Sequence, residues 1–377
     1  MKNIVIVAHK FVTHPDDELV TYLNKRKYAN VLHISHPFYE APHRKSSYVW
    51  YKKGRVYKKK SSHDFSGYPE LIIYSKELFY TISWVLSSGI TWDKYIGMDG
   101  FCASIGNVLR LTGRIKKTVF WAIDFVPDNR FEAGWKNIIY RWINTQNYSA
   151  SDEMWDLSPR MADARQKYHG VKKSAYKKRL TVPYGMWTKN IKRLSYKKSD
   201  MHTAVFMGRL LENQGAQLVI QAIPSLIKKI PDIRLKIIGT GPYEDDLKKL
   251  AIKLRVSKYC VFTGKISSHK MVETEIAKSA VGLAPYIKKL DKWTYYADPG
   301  KIKTYLACGV PVLLTDLPWN AKEIQKERAG LIVKDNPASI AKGILKLMSP
   351  INDSFRQHAA QYSKKFDYEQ IFKSLTI

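Results

Sequence analysis

Cysteine is nearly absent from this 377-residue chain: only Cys102, Cys260 and Cys308 occur, widely spaced and odd in number. That excludes a disulfide framework and a CxxC metal site, and it suits a reducing cytoplasm. Long hydrophobic runs are missing too. No stretch reaches the ~18 uncharged apolar residues that a membrane span requires, so no transmembrane helix is expected. The apolar start, Lys2 to Ala8, is too short for a secretory leader and is interrupted by His9-Lys10, so it reads as a first buried strand. Repeats and low-complexity segments are lacking apart from lysine runs. Acids are scarce: 33 Asp and Glu stand against 63 Lys and Arg, a formal net charge of +30.

That positive charge is clustered. Eight Lys/Arg and no acid lie from Arg44 to Lys60, interleaved with Tyr48, Trp50, Tyr51 and Tyr57. Ten more, again without an acid, lie from Lys172 to Lys198. Such runs attract polyanions: phosphate-rich donors, nucleic acid or an anionic membrane. Rings among lysines suit the headgroup level of a bilayer, and also stacking on single-stranded nucleic acid. A merely solvated basic surface is the plain alternative.

Apolar and amphipathic segments alternate along the chain. Lys2–Ala8, Val31–Ile34, Lys94–Asp99 and Thr118–Asp124 read as strands, with helices near Asp17–Arg26 and up to Leu109. Glu70 to Leu86 reads as strand then helix, and Arg44–Lys60 as a loop or hairpin. Trp135, Ile138, Ile139 and Trp142 recur at helical spacing and read as a core-facing helix. After the lysine-rich connection the pattern restarts, with strands at 204–207, 234–238, 260–262, 280–284 and 310–314 and helices at 217–229 and 245–254. Two doubly wound α/β domains follow. We place them at 1–187 and 188–354, with 355–377 returning to the first. Ligands of such domains sit at the carboxyl ends of the strands, and two facing domains leave a cleft between them.

The second half carries the chemistry. Phe206-Met207-Gly208-Arg209-Leu210, with Gly215 after it, is a strand, a glycine turn and a cation. Such a turn lets backbone approach a diphosphate, while Arg209 neutralises its oxygens. Ile237 to Pro242 contributes Gly239 and Gly241, and Val261 to Ile266 contributes Gly264. Asp298 to Val312 opens a helix at Pro299-Gly300 and ends it at Gly309. Each glycine alone is an ordinary turn.

In this order, with Ser151-Asp152, Leu157-Ser158, Met161 and Pro183-Tyr184-Gly185 upstream, the segments resemble the family 4 retaining glycosyltransferases from about Ser151 onward. The resemblance implies a GT-B fold, two Rossmann-like domains facing across a cleft. It implies a metal-independent hexosyltransferase that takes a UDP- or GDP-linked sugar as co-substrate, needs no cofactor and retains configuration. Gly208 and Arg209 would face the diphosphate, Gly264, Lys265 and Ile266 the base, and Pro299, Gly300 and Lys301 would lie under the phosphates, with Gly239, Gly241 and Asp298 beside them. Two positions depart from the family: Thr304 stands where it has a ribose-gripping glutamate, and Gln214 where it has a phosphate-pairing lysine. Lys301 and Lys303 are nearby cations that could replace the lost charge.

In the first half, the family's histidine after the Thr118–Asp124 strand is missing. Asp124 is the candidate carboxylate there, with Asp99 ending the preceding strand and Asp128 and Arg130 on the next loop. The catalytic set is therefore Asp124, Arg209 and Lys301. His14-Pro15-Asp16-Asp17-Glu18 reproduces a zinc motif of sugar de-N-acetylases. Its partner pair, His33 and His36, follows too closely, so we read a loop and the acidic first turn of a helix. Lys322–Arg328 reads as a solvated face and Tyr295-Tyr296 as packing. The expected partners are a nucleotide-sugar donor, a glycan or lipid-linked acceptor and an anionic membrane, not nucleic acid. The expected location is cytoplasmic, peripheral on the inner face of the plasma membrane. A non-catalytic sugar-binding descendant and a polyanion-binding protein on the same scaffold are the alternatives.

Overall fold

A computed structural model describes residues 2–10, 15–38, 41–127, 129–291, 293–375 and 377. The chain divides into two compact units, 1–183 with 372–377, and 184–371.

The first unit contains strands β1 (Asn3–Lys10), β2 (Asn30–Pro37), β3 (Ser47–Lys52), β4 (Arg55–Ser61), β5 (Lys94–Gly97), β6 (Thr118–Ala122), β7 (Glu153–Asp156) and β8 (Arg179–Thr181). Its helices are α1 (Pro15–Lys25), α2 (Glu70–Leu86), α3 (Gly100–Arg110), α4 (Gly134–Ala150) and α5 (Arg160–His169). The sheet order is β4-β3-β2-β1-β5-β6-β7-β8. It is parallel except at one edge, where β3 runs antiparallel to both β2 and β4. Ile4 to Ala8 of β1 are fully buried, as expected of a strand covered on both faces.

The second unit contains β9 (Asp200–Met207), β10 (Arg234–Ile238), β11 (Cys260–Gly264), β12 (Ser279–Ala284), β13 (Val312–Thr315) and β14 (Gly330–Val333). Its helices are α6 (Ala216–Ile227), α7 (Glu244–Lys253), α8 (His269–Ala277), α9 (Gly300–Ala307), α10 (Ala321–Lys326), α11 (Pro337–Leu347) and α12 (Asn352–Ser363), and α13 (Tyr368–Ser374) leads back to the first unit. The order β11-β10-β9-β12-β13-β14 is parallel throughout.

Three expectations differ from what the chain does. The return to the first unit begins at Phe372 rather than near Phe355. Phe355, Ala359 and Tyr362 of α12 pack into the second unit's core, and Arg356 donates to the carbonyls of Ala277 and Ser279. Glu70 to Leu86 is helical throughout. Its buried residues, Lys76, Glu77, Thr81, Trp84 and Val85, follow a helical period that the apolar run Leu71–Ile73 masks. Helix α4 is turned the other way from the expectation. It buries Asn137, Asn144, Asn147 and Tyr148 and exposes Trp135, Ile138, Ile139 and Trp142. The asparagines make this orientation stable, because each buried amide finds partners. Asn147 Nδ2 donates to Gly100 O, Ser104 Oγ and Ile143 O, each at 2.8 Å.

Candidate functional site

In the second unit, β9 is central. The chain leaves it toward β10 and β11 on one side, then crosses to β12 and β13 on the other. The carboxyl ends of β9 and β12 therefore form a topological switch point, where open α/β sheets bind ligands. Gly208 follows β9 at φ 139° and Gly239 follows β10 at φ 130°, values that L side chains rarely adopt. A Cβ on Gly239 would lie 2.0 Å from Gly208 O, and one on Gly208 would lie 3.1 Å from Lys301 Nζ. The two loops thus touch backbone to backbone under a lysine.

Lys301 rises from the first turn of α9. Its Nζ donates to Gln214 Oε1 at 2.7 Å and lies 4.5 Å from the Phe206 ring centre and 5.1 Å from that of Tyr286. A lysine ammonium from α9 thus lies against the Gln214 side chain. Burial pushes the Lys301 ammonium down to about 7, against the pull of Asp291. Arg209 is exposed and has no side-chain partner among the described residues. Together with the amides at the start of α9, these groups make an anion-directed surface.

Other expected donor residues are placed differently. Lys303 is buried on Asp298. Asp298 also accepts from Tyr184 N at 2.8 Å and Trp319 Nε1 at 2.7 Å, so it ties the segment before α9 to its surroundings. Thr304 Oγ1 turns back on Gly300 O at 3.3 Å. A Cβ on Gly241 would lie 2.2 Å from Leu210 O, so this glycine serves loop packing. Gly264 is open, Lys265 exposed and Ile266 half-buried. Tyr296 packs at 8% exposure against the more open Tyr295.

In the first unit the corresponding switch point lies between β1 and β5. There His9, on β1, is gripped from both ring nitrogens: Nδ1 to Asp99 Oδ2 at 2.7 Å and Nε2 to Glu77 Oε2 at 2.9 Å. Asp99 also caps α3, accepting from Cys102 N at 2.8 Å. Burial lowers the His9 pKa, but the Asp99 charge and its hydrogen bond more than offset this, and the net shift is well upward. In turn the imidazolium holds Asp99 well below the usual carboxylate range despite its burial. The rings of Tyr74 and Phe101 lie 6.3 Å and 6.0 Å from His9. Sequence reasoning missed His9. The available signal was a polar residue at the carboxyl end of an otherwise apolar strand. Asp124 is exposed beyond β6 and pairs with Arg130 Nη1 at 2.7 Å. Asp128 lies outside the described residues.

Strand geometry separates the histidine pair of the zinc motif, while Asp16, Asp17 and His33 lie with their ligand atoms within 4.8 Å of one another. His33 and His36 are three residues apart on β2 and so face opposite sides of the sheet. His33 Nε2 meets Asp16 Oδ2 at 2.6 Å, whereas His36 meets Ser46 Oγ and Thr81 Oγ1, both at 2.8 Å. Asp17 pairs with Lys10, and the acids form the first turn of α1. His14 lies outside the described residues.

Residues 201–350 match the family model described as Glycosyl transferases group 1. This match lies within the second unit. The chain is 34% identical over 79 residues to a GDP-mannose-dependent alpha-(1-6)-phosphatidylinositol monomannoside mannosyltransferase of Mycolicibacterium smegmatis, a match covering 21% of each chain. It is 27% identical over 184 residues to an uncharacterised glycosyltransferase of Methanocaldococcus jannaschii, covering 48% of this chain and 44% of that one. The match thus spans about a fifth of the length of the mycobacterial relatives. The solved structure of Anabaena HepE in complex with UDP aligns over 98% of this chain and 97% of its own, with a TM-score of 0.70 at 11% identity. The fold is therefore GT-B, two Rossmann-like domains, the second of which holds the residues that match the family model.

Proposed function

We propose that the protein is a glycosyltransferase that moves a hexosyl unit from a UDP- or GDP-sugar to a glycan or lipid-linked acceptor, with retention of configuration. The observation that carries this reading is the exposed, unpaired Arg209 beside Lys301 and the Gly208 turn at the switch point of the second domain. As the bond between the anomeric carbon and the diphosphate breaks, negative charge grows on the leaving oxygens. Arg209, Lys301 and the backbone N–H groups of Gly300 and Lys301 would stabilise that charge without a metal. Gly264, Lys265 and Ile266 would border the base. Thr304 offers the ribose one hydroxyl, already turned on Gly300, in place of a carboxylate. Both bases find support among relatives: the mycobacterial protein is GDP-mannose-dependent and the Anabaena protein was solved with UDP.

The first domain would present the acceptor, its hydroxyl oriented by Asp124 or by the His9–Asp99 pair. The charge of +30, with an acid-free run over Arg44–Lys60, supports a seat on an anionic membrane surface at its cytoplasmic face. Among the described residues no helix is long and apolar enough to cross a membrane.

Thermal-shift binding against UDP-, GDP-, ADP-, CMP- and dTDP-sugars tests the donor reading. One base family should stabilise the protein, and Arg209→Ala should abolish the shift and lower kcat/KM about a hundredfold, as expected for loss of a charge-assisted phosphate contact in the transition state. No stabilisation by any nucleotide would instead mark a non-catalytic scaffold.

A further inference from the structure

Helix α4 is amphipathic in the inverted sense. Its buried face is asparagine and its outer face is Trp135, Ile138, Ile139 and Trp142, at 62%, 63%, 47% and 63% exposure. Helix α2 does something similar, exposing Leu71 at 78% and Phe79 at 65%. The two helices start beside each other, since Lys136 Nζ of α4 reaches Glu70 Oε2 of α2 at 2.7 Å. Leu71 and Trp135 are the sequence neighbours of that ion pair. A soluble surface rarely leaves so many large apolar side chains together without a partner.

The surroundings say which partner fits. Strand β4 is exposed along its whole length and carries Arg55, Lys58, Lys59 and Lys60. Its end lies against α2: Tyr48, which pairs with Lys60, packs on Trp84 of α2 with ring centres 5.0 Å apart, and Lys76 Nζ of α2 donates to Arg44 O at 2.9 Å. An apolar face with tryptophans, flanked by an acid-free basic strand, matches an anionic bilayer: aliphatic side chains and indoles enter the headgroup boundary while lysines meet the phosphates. Self-association through this face would bring like charge together on a chain of +30. Single-stranded nucleic acid would use the rings but leave Ile138, Ile139 and Leu71 uncovered.

We propose that the outer faces of α2 and α4 insert into an anionic membrane surface, with β4 as the electrostatic flank. This deepens the membrane-proximal reading above and rests on it. The test is co-sedimentation of the full chain with phosphatidylcholine vesicles containing or lacking phosphatidylglycerol, at low and at ~0.5 M salt, where exposed charges are largely screened. Wild type should bind the anionic vesicles and retain part of that binding in high salt. Trp135→Ala with Trp142→Ala should lower the partition coefficient about tenfold or more, with an unchanged Tm and an unchanged nucleotide-sugar thermal shift. Ile138→Lys should do the same, should the double variant melt early. Binding that is wholly screened by salt and indifferent to these variants would overturn the insertion while leaving an electrostatic membrane contact standing. Absence of vesicle binding by wild type would remove both, whatever the nucleotide result. A concentration-dependent dimer in light scattering, dissolved by the tryptophan variants, would assign the face to a second copy instead.

Discussion

The two Rossmann-like domains both bury an apolar core, but they differ in how much polar chemistry they place around it. The second has two apolar clusters on either side of its sheet, built from strands such as Ala204–Phe206 and helices such as α6 and α11. Its chemistry is confined to glycine turns and cations at one end of the strands. The first domain also has an apolar core, with Val5, Val7, Trp92 and Tyr95 in it, but it adds buried polar pairs and leaves large apolar side chains of α2 and α4 exposed. Lys94 meets Glu153 at 2.9 Å, Arg165 is buried on Asp156, His9 sits between two carboxylates, and asparagines join α3 to α4. A buried polar network stabilises only when every member is satisfied, and it fixes geometry more than it adds stability. A domain that must hold a hydroxyl acceptor and touch another surface has use for that geometry. A domain that grips a diphosphate needs close backbone approach over a stiff apolar base.

The contrast can be broken most severely at Gly239. Gly239→Ala combines a φ of 130° with a Cβ 2.0 Å from Gly208 O. It should lose about 3 kcal/mol or more in denaturant unfolding, whereas Gly264→Ala, strained at φ 65° but with open space, should lose about 1 kcal/mol. If the two cost the same, backbone contact between the donor loops is not what makes them glycine.

The first domain's inversion is sharpened by a pair of substitutions on α4. Asn147→Ala should cost about 1–3 kcal/mol, because the buried amide hydrogen bonds that tie Gly100 and Ser104 of α3 to α4 are lost. Trp142→Ala, at 63% exposure, should stay within about 0.5 kcal/mol when no vesicles are present. The reverse order would mean that the helix is seated the other way round.

Two pH experiments give smaller effects. Because Lys301 is held near 7, an anion that binds it must restore its proton. Nucleotide affinity should therefore fall by up to about tenfold per pH unit above 7, with proton uptake seen in titration calorimetry, and Lys301→Met should flatten the profile. In the first domain the sign is that of a raised group. The stabilisation from protonated His9 is full below the ordinary imidazole value of 6.5 and is lost as pH rises through the raised value. The Tm gap between wild type and His9→Gln should accordingly be widest near pH 6 and close on the alkaline side, where a constant gap would assign His9 a purely steric role.

The order of strands and helices was largely legible because parallel strands buried on both faces are continuous apolar runs, and Ile4–Ala8 or Ala280–Ala284 admit little else. Glycine-turn motifs were legible for the same kind of local reason: Gly208 and Gly239 adopt backbone angles that few other residues tolerate. Which of Lys301 and Lys303 lies beside Gln214 was not legible, since both lie on the first turns of α9 and only their packing separates them. Lys303 found Asp298, and Lys301 found Gln214.

Periodicity on its own fixed that α4 is a helix with one apolar face. Which way that face points was decided by tertiary structure: Asn147 finds three acceptors on α3 and its own preceding turn, so the polar side can be buried at little cost. The sequence likewise determined that His9 ends a strand, while its meeting with Asp99, ninety residues away, and Glu77 depended on β5 and α2 being brought beside β1. Local backbone preference and hydrophobic burial act on neighbours in the chain and can be read there. Pairing of charges and amides acts between elements, and only the assembled sheet says which of them come together.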